Sequence, residues 1–147
     1  MQKIKTEKMR PSDIPSVAEL DKKSLPESWS EENYKESLEN PNYNILVAKF
    51  SGKIVGFISM YHALDEGYIC NIAVDKSHRM CGIGTYLINE TIKYSKNQNL
   101  RFLTLEVRES NTGAIKFYEK LGFTNVGIRK NFYSNPTENA VIMTLYF

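Results

Sequence analysis

The 147 residues suffice for one domain, 1–147, with its own core, and the 41% apolar and 24% charged content is that of an ordinary globule. A formal charge of +2 is too small to make nucleic acid or an anionic membrane the main partner, and no run of ~18 apolar residues offers a membrane span. The opening stretch, MQKIKTEKMR, is charged and lacks the apolar run of an export signal, and the two cysteines, Cys70 and Cys81, stand at neither a metal nor a redox spacing. A cytoplasmic location is expected, with Cys70 a small core residue.

In chain order, Lys3–Met9 alternates charged and short apolar residues and is a candidate first strand. Arg10-Pro11-Ser12-Asp13 signals a helix start, and Ile14, Val17, Ala18 and Leu20 carry one apolar face to about Lys23. Leu25-Pro26-Glu27-Ser28-Trp29 is a loop. Ser30 caps a second helix, with Asn33 where an acid would complete a capping box, and that helix stops at Asn40-Pro41. Asn44–Phe50 and Lys53–Ala63 are strands joined by Ser51-Gly52, a two-residue hairpin signal. Asp65-Glu66-Gly67 is assigned to the next turn, into the apolar strand Tyr68–Val74.

The chain then passes through Asp75–His78 into Arg79-Met80-Cys81-Gly82-Ile83-Gly84, and Ile83, Leu87, Ile88 and Ile92 open a helical stripe. A strand, a basic glycine turn and a helix make a plausible seat for a pyrophosphate. First-turn N–H groups and the positive end of the helix dipole favour an anion, and glycines let the backbone close on it. The turn is neither a P-loop, since no Gly-Lys-Ser/Thr follows, nor a dinucleotide fingerprint, since Leu87 occupies the third glycine position.

Phe102–Arg108 alternates cleanly, with Leu103, Leu105 and Val107 on one face and Thr104, Glu106 and Arg108 on the other. Ser110-Asn111-Thr112 begins the last helix. Its stripe is Ala114, Phe117, Tyr118 and Leu121, and Gly122 closes it. Thr124–Phe132 and Ala140–Phe147 are the closing strands. Antiparallel strands followed by a strand–helix–strand unit define an α/β class with a mixed sheet.

Three stretches together resemble the GNAT (Gcn5-related N-acetyltransferase) superfamily: Asn71-Ile72-Ala73-Val74, the turn Arg79–Gly84, and Leu105-Glu106-Val107-Arg108 through Asn111 to Phe117-Tyr118-Glu119-Lys120-Leu121-Gly122-Phe123. The turn is similar to that family's Arg/Gln-x-x-Gly-x-Gly signature for acetyl-CoA. Within the family, Cys70–Val74, Leu105–Asn111, Trp29-Ser30 and Arg129–Tyr133 resemble the bacterial branch that acetylates the N-terminal alanine of ribosomal proteins.

The resemblance implies a central, mostly antiparallel twisted sheet of about seven strands flanked by about four helices, and acetyl-CoA as cosubstrate with no metal. Backbone groups of Ile72, Ala73 and Val74 would pair with the pantetheine arm, and Arg79, Met80, Cys81, Gly82, Ile83, Gly84 and Thr85 would hold the pyrophosphate. Asn111 would bond the cosubstrate. Glu106 would be the base and Tyr118 the acid. The partner would be a protein or peptide N-terminus, with Trp29, Arg108 and Tyr133 as contacts. Met80-Cys81 and Thr85 depart from the basic residues common in this loop, which points to weaker cosubstrate affinity. Taken by its position alone, Glu106 reads as a solvated strand residue, Tyr118 as core and Trp29 as a ring covering the core edge. A lysine or small-amine acetyltransferase, and a CoA-binding module without turnover, are the competing readings.

Overall fold

The computed structural model describes residues 4–24, 26–79 and 81–147. Met80, named above in the phosphate turn, and Leu25 in the loop lie outside them. The elements are β1 (Lys5–Lys8), a 3₁₀ turn (Pro11–Asp13), α1 (Ile14–Ser24), α2 (Glu31–Glu39), β2 (Tyr43–Phe50), β3 (Lys53–Ala63) and β4 (Glu66–Val74), then a second 3₁₀ turn (Lys76–His78), α3 (Ile83–Asn97), β5 (Phe102–Arg108), α4 (Thr112–Lys120), β6 (Thr124–Tyr133) and β7 (Glu138–Tyr146).

The strands form one seven-stranded sheet in the order β1-β2-β3-β4-β5-β7-β6. Only β4 and β5 run parallel; every other neighbouring pair is antiparallel. Each face of the sheet carries its own core. Leu87 and Ile88 of α3 and Tyr118 of α4 pack on Ile58, Met60, Leu103, Leu105 and Met143. Ile14 and Val17 of α1 and Tyr34 of α2 pack on Ile45, Val47, Phe57 and Ala73. This is the layered α/β class expected, with helices on both faces.

Local chemistry fixes several boundaries. Ser51 and Gly52 both take positive φ, 52° and 76°, as a tight two-residue hairpin requires. Asn33 completes the box at α2: its backbone N–H donates to Ser30 Oγ at 3.1 Å, and its Oδ1 accepts from the Ser30 N–H at 3.1 Å. Gly122, at φ +100°, ends α4, with the Phe123 N–H bonded to the Tyr118 carbonyl and the Gly122 N–H to that of Glu119. One turn differs from expectation. Leu64, at φ 55°, takes the left-handed position, and Glu66 and Gly67 already belong to β4. Gly67 serves as a spacer, because a Cβ there would stand 2.9 Å from Leu103 Cδ2 and 3.2 Å from the Phe102 carbonyl.

Candidate active site

The two parallel strands stay together only briefly. Glu66, Gly67 and Tyr68 pair with Phe102, Leu103 and Thr104, and the pairing ends there. Against β3, the register of β4 passes from Ser59↔Asn71 to Met60↔Ile69, so Cys70 is an extra residue. A bulge of this kind bends its strand and sharpens the local twist. From Ile69 to Val74 the edge of β4 that faces β5 has no strand partner, and apart from the Val74 carbonyl, which accepts from Arg79 Nε, its backbone groups are available to a ligand that lies along it.

A cavity of about 300 Å³ fills the fork. One wall is β4 from Ile69 to Ile72, and the opposite wall is β5 from Leu105 to Arg108. Asn111, Ala114 and Tyr118 close it from α4, Pro26 and Glu27 from the α1–α2 connection, and Tyr133 from the end of β6. Glu106 and Tyr118, far apart in sequence, therefore line one cavity. Glu106 is on the face away from the Leu103–Leu105–Val107 row, beside Arg129 Nε at 3.5 Å, with its side chain 31% exposed. Tyr118 is only 7% exposed, and burial holds its phenol well above the usual tyrosine range, so it stays protonated at neutral pH. The core reading of Tyr118 holds, since the ring packs between Phe117 and Phe123, and the residue also lines the cavity.

Cys70 corrects an expectation. It is not a core residue: it is exposed between buried Ile69 and Asn71 and stands in the cavity wall. Solvent reaches it, yet surrounding protein desolvates the thiol and, with Glu106 nearby, pushes it up to about 11, so it is not a thiolate nucleophile.

Next to it Asn71 is tied down by Asp21 of α1. Asp21 Oδ2 accepts from Asn71 Nδ2 at 3.1 Å, from the Tyr34 hydroxyl at 2.6 Å and from the Trp29 N–H at 3.0 Å, while its Oδ1 is buried without a partner. Asp21 has no exposed surface, and burial raises its pKa above the carboxylate norm despite those donors. Trp29 itself packs at a tilt against Tyr34 and edge-on against Tyr43, and does not line this cavity.

At the far end of β4 the chain makes the glycine turn. Gly82, at φ +78°, is the N-cap of α3, and a Cβ there would meet nothing within 4 Å, so the turn's outer face is open. Ile83, Gly84 and Thr85 form the first turn, whose N–H groups lack intrahelical acceptors. A Cβ at Gly84 would stand 3.3 Å from the Phe117 ring, so the turn lies close against α4. Arg79 folds back, its Nε donating to the Val74 carbonyl at 3.3 Å, and Cys81 is exposed. Asn111 is the N-cap of α4, its Oδ1 accepting from the Ala114 N–H at 3.1 Å, which leaves its amide free at the cavity rim. An unpaired strand edge that runs toward an open anion-binding helix start suits an elongated pyrophosphate-bearing thioester.

The comparisons agree with this geometry. The profile of the "Acetyltransferase (GNAT) family" matches residues 14–123. A Bacillus subtilis (strain 168) protein, provisionally named a [ribosomal protein bS18]-alanine N-acetyltransferase, is 36% identical over 136 residues, spanning 92% of this chain and 90% of that one. The crystal structure of the ribosomal-protein-S18-alanine N-acetyltransferase from Escherichia coli superposes with a TM-score of 0.90 at 30% identity, covering 98% of this chain and 94% of the other. A GNAT family acetyltransferase from Elizabethkingia anophelis, solved with acetyl-CoA bound, gives a TM-score of 0.80 at 26% identity over 98% of each chain.

The chain belongs to the GNAT family of acetyltransferases. It is an acetyl-CoA-dependent N-acetyltransferase, similar within that family to the ribosomal-protein-alanine type.

Several parts of the site left no trace in the sequence pattern. The bulge at Cys70 is invisible in an apolar run, and the Asp21–Asn71 bond joins residues 50 apart. Arg129 was recognisable only as part of a motif, not as the neighbour of Glu106.

Proposed function

We propose that this enzyme acetylates the free α-amine at a protein N-terminus, and that its natural acceptor is the alanine N-terminus of ribosomal protein S18. The observation that carries the chemistry is the fork between β4 and β5, where Glu106 and Tyr118 line one cavity beside an unpaired strand edge. The acceptor class is carried over from the similar proteins described above. The pantetheine arm runs along Ile72–Val74, and the pyrophosphate rests on the turn from Arg79 to Thr85.

In this reading the amine nitrogen attacks the thioester carbonyl carbon, the amide bond forms and the C–S bond breaks. Glu106 takes the amine proton directly or through one water. Tyr118 donates to the sulfur as charge develops there, and CoA leaves as the thiol. An α-amine titrates near 8, so roughly a tenth is neutral at pH 7, against under a thousandth of lysine amines. A carboxylate base is adequate for the first and poorly matched to the second. The reaction places the enzyme in the cytoplasm, where ribosomal proteins are made.

Release of CoA from acetyl-CoA, measured across paired peptides, tests this. The peptides carry a free or blocked N-terminus, alanine or another residue first, and an internal lysine or none. Turnover confined to free alanine N-termini is expected. Turnover with blocked, lysine-bearing peptides would assign the lysine branch instead, and binding of acetyl-CoA without turnover of any amine would leave a CoA-binding module.

A further inference from the structure

Arg108 ends β5, two residues beyond Glu106 on the same face of the strand. Its guanidinium is almost fully spent. Nη2 donates to Glu27 in the α1–α2 connection and to the Ser134 carbonyl at 3.1 Å. Nη1 donates to the Pro136 carbonyl at 3.0 Å and to Glu138 Oε1 at 3.1 Å. The plane lies over the Tyr133 ring at 4.5 Å. Glu138 is anchored in turn, accepting from the Ser110 N–H at 2.6 Å just before α4. Only Nε lacks a partner, and it is buried.

Exposed ion pairs hold little. This one is forked, stacked on a ring and only 15% exposed at the arginine. It crosses from one lip of the cavity to the other, since Glu27 and Tyr133 both line it.

We infer that Arg108 is the positioning residue of the acceptor channel, a strap that fastens the α1–α2 connection to the β6–β7 loop and fixes the width of the mouth through which the acceptor passes. The inference rests on the peptide-acetyltransferase reading above. It moves Arg108 from a peptide contact to a residue acting through Glu27 and Glu138. A lysine is no substitute, because a single ammonium on a flexible stem lacks the planar fork that reaches two carboxylates and two carbonyls at once.

The test is a double-mutant cycle on Arg108→Met and Glu27→Gln, read as separate steady-state constants and by amide exchange. Arg108→Met is expected to raise KM for the peptide about tenfold, with the acetyl-CoA Kd within about twofold and kcat within about threefold. Glu27→Gln is expected to raise the peptide KM about fivefold in the wild type but less than about twofold in the Arg108→Met background, because the strap is already open. Arg108→Lys restores less than half of the loss. In Arg108→Met, residues 27–29 and 134–139 exchange faster together. Additive effects on KM, or faster exchange in only one of the two segments, overturns the strap. If the wild type acetylates no peptide, the reaction proposed above fails, and the exchange arm alone decides whether Arg108 ties the two loops.

Discussion

Tyr34→Phe isolates the buried carboxylate behind the site. The Tyr34 ring has no exposed surface, and phenylalanine keeps it; what is lost is the hydroxyl that donates to Asp21 Oδ2 at 2.6 Å. A hydrogen bond to a charged group contributes ~1.5–3 kcal/mol, so a loss of ~2 kcal/mol is expected. With unfolding entropy near ~2.1 cal/mol/K per residue over 147 residues, that lowers Tm by about 6 °C.

The pH dependence has a definite sign. Burial raises the folded pKa of Asp21 above its unfolded value, so this group favours folding at low pH and that contribution is lost as pH rises through the folded pKa. Removing a donor to the charged form raises the folded pKa further, so the mutational loss is largest near neutrality and shrinks toward acid. Urea unfolding of both proteins between about pH 8 and pH 4 measures it. A loss below about 0.5 kcal/mol at neutral pH, or one that grows as pH falls, would refute the argument that the hydroxyl serves an ionised Asp21.

Three further outcomes are expected. Glu106→Gln lowers kcat at least about a hundredfold while the acetyl-CoA Kd stays within a few-fold, measured by CoA release and calorimetry; unchanged turnover removes Glu106 as base. Gly82→Ala strains a backbone at φ +78° by about 1 kcal/mol and adds a methyl on the open face of the turn, so the acetyl-CoA Kd rises about fivefold or more in titration calorimetry. Gly67→Ala forces a Cβ against Leu103 and the Phe102 carbonyl, and thermal unfolding is expected to record a loss of ~1–3 kcal/mol.

How much of this was readable beforehand depended on how far the cause lay from the residue. Ser51-Gly52, the alternation of Phe102–Arg108 and the Gly122 cap are set by their own backbones, and each fell where the pattern put it. The turn before β4 was misplaced because Gly67 has the look of a turn glycine. Its reason for being glycine is a neighbour across the sheet, and an exposed leucine takes the strained position instead. Glu106 and Tyr118 were found through motifs spaced along the chain. Glu27 was not, because its partner Arg108 is 81 residues away and no local period links them. Cys70 looked like core because a continuous apolar run does not show which of its residues face inward, whereas the strand alternates buried Ile69 and Asn71 with exposed Cys70.

The short pairing between β4 and β5 also has a mechanical meaning. Along the hydrogen-bond ladder the sheet is two plates, β1 to β4 and β5-β7-β6, riveted by three residue pairs and backed by the α3 and α4 core on one side. In the reading proposed above, a pantetheine arm bonded along the free edge of β4 would act as a splint across the seam. On that reading the cosubstrate itself would stiffen the fork that holds Glu106, and its occupancy would raise resistance to unfolding in proportion to the logarithm of acetyl-CoA concentration above its Kd.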